Sequence, residues 1–252
     1  MNFKILFILF FLIFALNNCS QKKSQVDQIK ETNIEEQMRI VYNEGMLELD
    51  RGNSLSAAKK FSEAEILFPQ SVWAPRSALM TAYSYYSYGY FFDTIDELNR
   101  YLKTYPLHNR QSYAYYLLAL CYYEQIIDEK KDLEPIISSK KYFNLIIEKY
   151  PKSEFASDAK YKMELIDEIL ASKEMYLGRY YIEKEKWIPA INRFKTVLKD
   201  YDKTIYTEEA LHRLVEIHYK LGLIEESRKY ANLLGYNYQS GEWYLKLSLI
   251  HI

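Results

Sequence analysis

"FSEAEILFP" (residues 61–69), "LNRYLKTYP" (98–106), "FNLIIEKYP" (143–151) and "FKTVLKDYD" (194–202) are four versions of one pattern. In each, an aromatic stands directly before Pro69, Pro106, Pro151 or Asp202. Eight positions before each of these stands Phe61, Leu98, Phe143 or Phe194, and twelve before stands a small residue, Ala57, Thr94, Ser139 or Ala190. A spacing of four places these side chains on one face of a helix. A small residue there lets two helices cross closely, and the large one below it fills the wedge between them. Turn glycines precede three such small positions by five residues: Gly52 before Ala57, Gly89 before Thr94 and Gly222 before Ser227.

The prolines agree with a helical reading. Pro69, Pro106 and Pro151 close helices, whereas Pro75, Pro135 and Pro189 stand where helices begin, in the first turn that tolerates proline. The alternating "AYSYYSYGYFF" (82–92) imitates a strand. It continues a helical register in which Ala78 and Tyr85, and Leu79 and Tyr86, recur at seven residues, and Gly89 breaks it. The segment therefore reads as helix, turn, helix. Its tyrosines read as inter-helix packing with hydroxyls in water, or, for some of them, as the lining of a peptide site.

This spacing is that of tetratricopeptide repeats. The expected fold is all-α, a solenoid of about five helix pairs at 36–69, 73–106, 110–151, 154–202 and 205–235, then a C-terminal cap. The pairs are unequal. The third holds a charged insert, "IDEKKDLEP" (127–135), and the fourth opens with an unusually long helix. The closing "WYLKLSLIHI" (243–252) either caps the last repeat or meets a partner, and capping is the commoner outcome because a solenoid must cover its final apolar surface.

The N-terminus tells a separate story. Lys4 is followed by twelve apolar residues, Ile5 to Leu16, a run too short to span a bilayer. A charged start, a short apolar core and then polar chain is the pattern of a secretory signal. Leu16 and Cys19 hold the spacing of a bacterial lipoprotein signal, with Asn17 and Asn18 where small residues are usual. The reading is a signal peptide over 1–18, lipid attachment at Cys19 and a polar tether over 19–33. An ordinary cleaved signal with an incidental cysteine is the alternative. The fourteen residues from Ser20 to Asn33 reach roughly 45 Å when extended. Ser20 stands where an aspartate would mark inner-membrane retention, so the expected destination is the outer membrane, facing the periplasm.

Composition excludes several functions. With 33 basic and 34 acidic residues the net charge is −1, so no basic excess points to nucleic acid. Cys121, the only cysteine besides Cys19, lies in an apolar helix pattern and is not expected to form a disulfide. His212 and His218 are six residues apart, roughly 240° around a helix, and do not share a metal. His108 follows Pro106 in a turn. There is no glycine-rich phosphate loop and no nucleophile with a recognisable local context. No catalytic residue, cofactor or metal ligand is expected.

The irregularities of the repeats have a counterpart. "YPLHNRQSYAYYLLALCYYEQIID" (105–128), "KYPKSEFASDAKYKM" (149–163), the long helix ending "YYIEKEKW" (180–187), "AINRFKTVLKDYDKT" (190–204) and "LLGYNYQSGEWY" (233–244) together resemble the BamD family, in its alphaproteobacterial form. Three features depart from that pattern: Lys131 where the family's insert has arginine, Asp202 for a proline, and Glu185 for a turn glycine. The resemblance implies a lipoprotein scaffold of the outer-membrane β-barrel assembly machinery, alongside that machinery's other subunits. Its C-terminal repeats would bind the POTRA domain of BamA nearest the barrel, and its N-terminal repeats would receive the C-terminal signal of unfolded barrel substrates. It carries over to Arg193, in the Asn-Arg pair two residues after Ala190, as the contact for an acidic residue of BamA, with Tyr181 and Lys184 bordering the patch. Without that partner, Arg193 reads as a surface arginine paired with Glu183 or Glu185. A periplasmic repeat lipoprotein that coordinates cell-wall synthesis or envelope constriction is the other function such an architecture would serve.

Overall fold

The computed structural model describes residues 31–127 and 133–247. Cys19, the tether before residue 31, the 128–132 part of the insert and residues after 247 lie outside the described residues. Eleven helices and no strand are found among the described residues. They form five antiparallel pairs: α1 (Glu31–Asp50) with α2 (Ser54–Leu67), α3 (Ala74–Tyr88) with α4 (Phe91–Thr104), α5 (Gln111–Tyr123) with α6 (Glu134–Lys149), α7 (Ala156–Glu183) with α8 (Trp187–Asp200), and α9 (Thr207–Lys220) with α10 (Ile224–Asn237). A short helix, α11 (Glu242–Leu247), follows. Each helix packs chiefly on its neighbours in sequence, the arrangement of a repeat stack. The fold is the all-α solenoid that the spacing predicts. Its first helix begins at Glu31, inside the stretch read as tether, and its last pair runs to Asn237 rather than 235.

The wedge positions explain the pairing. Ala57, Thr94, Ser139 and Ala190 are fully buried, as are Phe61, Leu98, Phe143 and Phe194 one turn further on. Two of the small residues do more than make room. Ser139 Oγ donates to the Ala119 carbonyl at 3.0 Å, and Ser227 Oγ donates to the Val215 carbonyl at 3.0 Å. Each hydroxyl thus fastens the second helix of its pair to the first, where a bare polar atom would be costly. The first helices answer with glycine. A Cβ on Gly45 would lie 2.9 Å from the Phe61 ring, and one on Gly178 would lie 2.6 Å from the Phe194 ring.

Turns follow the same logic. Gly52, Gly89 and Gly222 close the first helices of their pairs at φ of 79°, 84° and 76°, in the left-handed region that glycine adopts freely. The fourth pair makes the same turn with Glu185 at φ 55°. A side chain there costs about 1 kcal/mol. Pro69, Pro106 and Pro151 each stand just after a helix, while Pro75 and Pro135 are second residues of α3 and α6.

In the 82–92 segment the rings pack on one another, Tyr86 on Phe91 at 5.9 Å and Tyr88 on Tyr90 at 4.7 Å, and tyrosines elsewhere add bonds of their own. Several hydroxyls are bonded inside rather than to water: Tyr105 donates to Glu65 at 2.7 Å, Tyr116 to Asp158 at 2.6 Å, and the fully buried Tyr101 meets His108 Nδ1 at 2.5 Å. Glu65, buried on α2, also receives both terminal nitrogens of Arg100 of α4, at 2.8 and 2.6 Å. One carboxylate therefore joins the first two pairs. Cys121 is a free, fully buried thiol, and burial pushes its pKa up to about 12, as befits a packing residue.

At the other end, α11 covers α9 and α10. Glu208 accepts the backbone N–H of Trp243 at 3.0 Å and of Tyr244 at 3.3 Å. The Trp243 ring sits 5.2 Å from that of His212, with Arg213 and Lys246 over its faces at 5.0 and 3.9 Å. Residues 242–247 therefore pack on the last pair.

Candidate functional site

Arg193 lies on α8, beside the buried Phe194 and so turned off the packed face. The loss of one pairing option and the gain of another is clear here. Its partner is neither Glu183 nor Glu185 but Glu174, on the facing stretch of α7: Nη1 donates to Oε2 at 3.1 Å and to Oε1 at 3.3 Å. The turn that carries Glu183 and Glu185 lies at the end of the pair, whereas Arg193 is nearly two turns into α8, level with the deeper part of α7. The arginine side chain is 40% exposed and the glutamate 14%. Guanidinium thus faces solvent and carboxylate faces protein.

Tyr181 and Lys184 occupy the turn end of the same pair. Tyr181 is partly buried against the cluster of Ala190, Phe194 and Leu214. Lys184 is exposed, with Nζ 5.7 Å from the Tyr180 ring, which in turn meets the Tyr181 ring edge-on at 5.8 Å. Tyr180 therefore links these two residues, and no hydrogen bond or ion pair among the described residues links either to Arg193.

A second feature occupies the N-terminal half. A groove of about 660 Å³ opens among Tyr42 of α1, Arg76 and Tyr83 of α3, the turn residues His108 and Arg110, and Tyr113 of α5. Leu79, Met80 and Phe155 add apolar wall. Glu154 lines it as well, so two guanidiniums face one carboxylate. Arg76 stacks over Trp73 at 5.1 Å, and Arg110 approaches Glu154 only at 3.9 Å with both side chains largely exposed, a pair of little strength. The imidazole of His108 is held below its ordinary range by burial first and then by Arg76 and Arg110, so it feels both guanidiniums. The Tyr101 hydroxyl and His108 Nδ1 share this bond inside the groove wall. Two guanidiniums against one carboxylate, beside an aromatic wall, suit a segment with a carboxylate next to an apolar side chain.

For chemistry or metal the rest of the molecule offers less. His212 and His218 are both buried on α9; His218 Nδ1 lies 2.6 Å from the Leu214 carbonyl, and its ring packs on Tyr230. Among the described residues no group of three or more His, Cys, Asp or Glu is placed to hold a metal ion, and no helix is long and apolar enough to cross a membrane.

With this geometry in view, comparison with known proteins decides the family. A profile described as "YfiO: Outer membrane lipoprotein" matches residues 34–233. The "Outer membrane protein assembly factor BamD" of Caulobacter vibrioides is 37% identical over 211 residues, covering 84% of this chain and 69% of that protein. The protein of the same description from Rickettsia prowazekii is 36% identical over 241 residues, covering 96% of this chain and 94% of its own. The chain belongs to the BamD family. Among solved structures, a tetratricopeptide repeat protein from Parabacteroides merdae aligns over 86% of this chain and 74% of its own, at 14% identity and a TM-score of 0.42. So loose a likeness adds nothing to what the helix stack itself shows.

Within this BamD-family chain, sequence reasoning named Arg193, Tyr181 and Lys184 but missed Glu174 and the groove. Glu174 is nineteen residues from Arg193 on another helix, and only the crossing of α7 and α8 brings them together. The groove had a faint signal. Arg76 and Arg110 both stand where a first helix starts after a proline turn, and His108 lies in the second of those turns.

Proposed function

We propose that this chain is the lipid-anchored scaffold subunit of an outer-membrane β-barrel assembly machine, with no catalytic step of its own. Cys19 carries the anchor, in the outer membrane on its periplasmic face, and residues 19 to about 30 tether the solenoid to it. The fourth pair docks on a POTRA domain of a BamA-like barrel protein through Arg193, bordered by Tyr181 and Lys184. The N-terminal repeats receive unfolded outer-membrane protein substrates, and the groove of Arg76, His108 and Arg110 is where a carboxylate-bearing, apolar chain end fits.

The observation that carries the reading is family membership over residues 34–233, together with two solvent-facing features of one helix stack. The same membership weighs against the cell-wall alternative. Affinity purification of the tagged chain from detergent-solubilised envelopes tests it: a BamA-like barrel protein is expected among the co-purifying proteins. Recovery of cell-wall synthases in its place refutes it. Arg193→Glu puts like charges at the contact and leaves Glu174 facing a second carboxylate. It is expected to weaken co-purification at least tenfold, with helicity retained, because breaking a partly dry charged contact costs about 2 kcal/mol or more. Wild-type recovery of the partner at low and physiological salt removes Arg193 from the docking face.

A further inference from the structure

Arginine has five N–H donors in a planar fork, and the stronger carboxylate contact uses two nitrogens in parallel. Glu174 does not use that mode. Both of its oxygens fall on Nη1, at 3.1 and 3.3 Å, and no other hydrogen bond or ion pair of Arg193 exists among the described residues. The Nε–H and the Nη2 donors are left over, on a side chain that is 40% exposed. Glu174 itself is only 14% exposed, on the long helix α7, so it is the fixed member of the pair. Its surroundings are already acidic: the Tyr201 phenol is raised by burial and then by Glu174, Asp167 and Asp200. Lys140 meets Asp167 at 2.6 Å.

The geometry points to Glu174 as a positioning residue that holds Arg193 by one nitrogen and presents the Nε–Nη2 edge to a carboxylate on the partner. This rests on the reading of Arg193 as a docking residue. The complex would then contain a chain of carboxylate, guanidinium and carboxylate, with the arginine bonded on two edges. An unrestrained arginine gives up its rotamer freedom when it binds, and one already held gives up less. The pair is also neutral as a unit. Its contribution therefore comes from short-range geometry and acts on the dissociation rate more than on long-range steering.

The test is a double-mutant cycle with the soluble periplasmic POTRA region of the cognate BamA-like protein as probe and the purified full chain in detergent. Arg193→Ala is expected to bind at least tenfold more weakly. Glu174→Ala is expected to bind roughly threefold to tenfold more weakly, the size of one side chain's ordering cost, mostly through faster dissociation. Glu174→Gln keeps an acceptor for Nη1 and is expected to stay within about twofold of wild type. In the Arg193→Ala background, Glu174→Ala is expected to add nothing. Should Glu174→Ala lower the melting temperature, the glutamine variant and the cycle still decide, because a purely structural loss persists without Arg193. Tighter binding by Glu174→Ala or Glu174→Gln makes Glu174 a competitor for the arginine and overturns the proposal while leaving Arg193 as the contact. An equal loss in both backgrounds overturns it as well. Undiminished binding by Arg193→Ala overturns the docking reading and this role together.

Discussion

At His108 the imidazole is partly buried, shares a hydrogen bond with a buried phenol and lies in the field of two arginines; burial first and then the arginines disfavour its cation. The folded pKa therefore lies below the unfolded value near 6.5. The unfolded chain takes up the proton more readily, so the stability tied to a neutral His108 is complete above the unfolded pKa and is lost as pH falls through the folded one. His108→Gln keeps a hydrogen-bonding partner for Tyr101, as donor or acceptor, without a titrating ring. Thermal melts between about pH 7 and about pH 5 should show wild type losing more stability than this variant. Parallel curves for the two proteins would show that His108 is not held neutral. None of this was legible in "YPLHNR", which marks a turn but not what the turn folds against. Glu185 is the opposite case. The sequence shows that a turn glycine is missing, and the backbone duly adopts φ 55° with a side chain in place.

Helix pairing was legible because it depends on spacing within single helices. Ser139 and Phe143, or Ala190 and Phe194, lie on one face in any α-helix, whatever they pack on. The partner surface was not, because Gly178 meets Phe194 only through the crossing of α7 and α8. Gly178→Ala should cost about 1–3 kcal/mol by overpacking, since its methyl would lie 2.6 Å from the ring. Phe194→Ala should cost roughly 3–5 kcal/mol by leaving a cavity. The two changes touch one contact, so the double variant should lose less than the sum. Urea unfolding of the purified variants measures all three. Strict additivity would mean that ring and glycine do not form one wedge.

For the whole molecule, the number and order of pairs could be read from the chain, while the groove could not, since it is assembled from the first three pairs and the turn into the fourth. Attachment is the other property of the whole. Two acyl chains, at about 0.8 kcal/mol per buried methylene, suffice for a stable anchor. Cys19→Ala is accordingly expected to move the protein out of the membrane fraction; unchanged fractionation, with no lipid on residue 19 by mass spectrometry, would defeat the lipoprotein reading. The two surface features also differ in how they are built. Glu174 and Arg193 belong to one helix pair, whereas the groove draws on α1, α3, α5 and the turns that lead into α5 and α7. A coiled spring that is stretched or wound hardly deforms within one turn, yet every gap between turns changes. A pull transmitted along this solenoid would accordingly leave the contact of Glu174 with Arg193 intact and alter the bore of the groove.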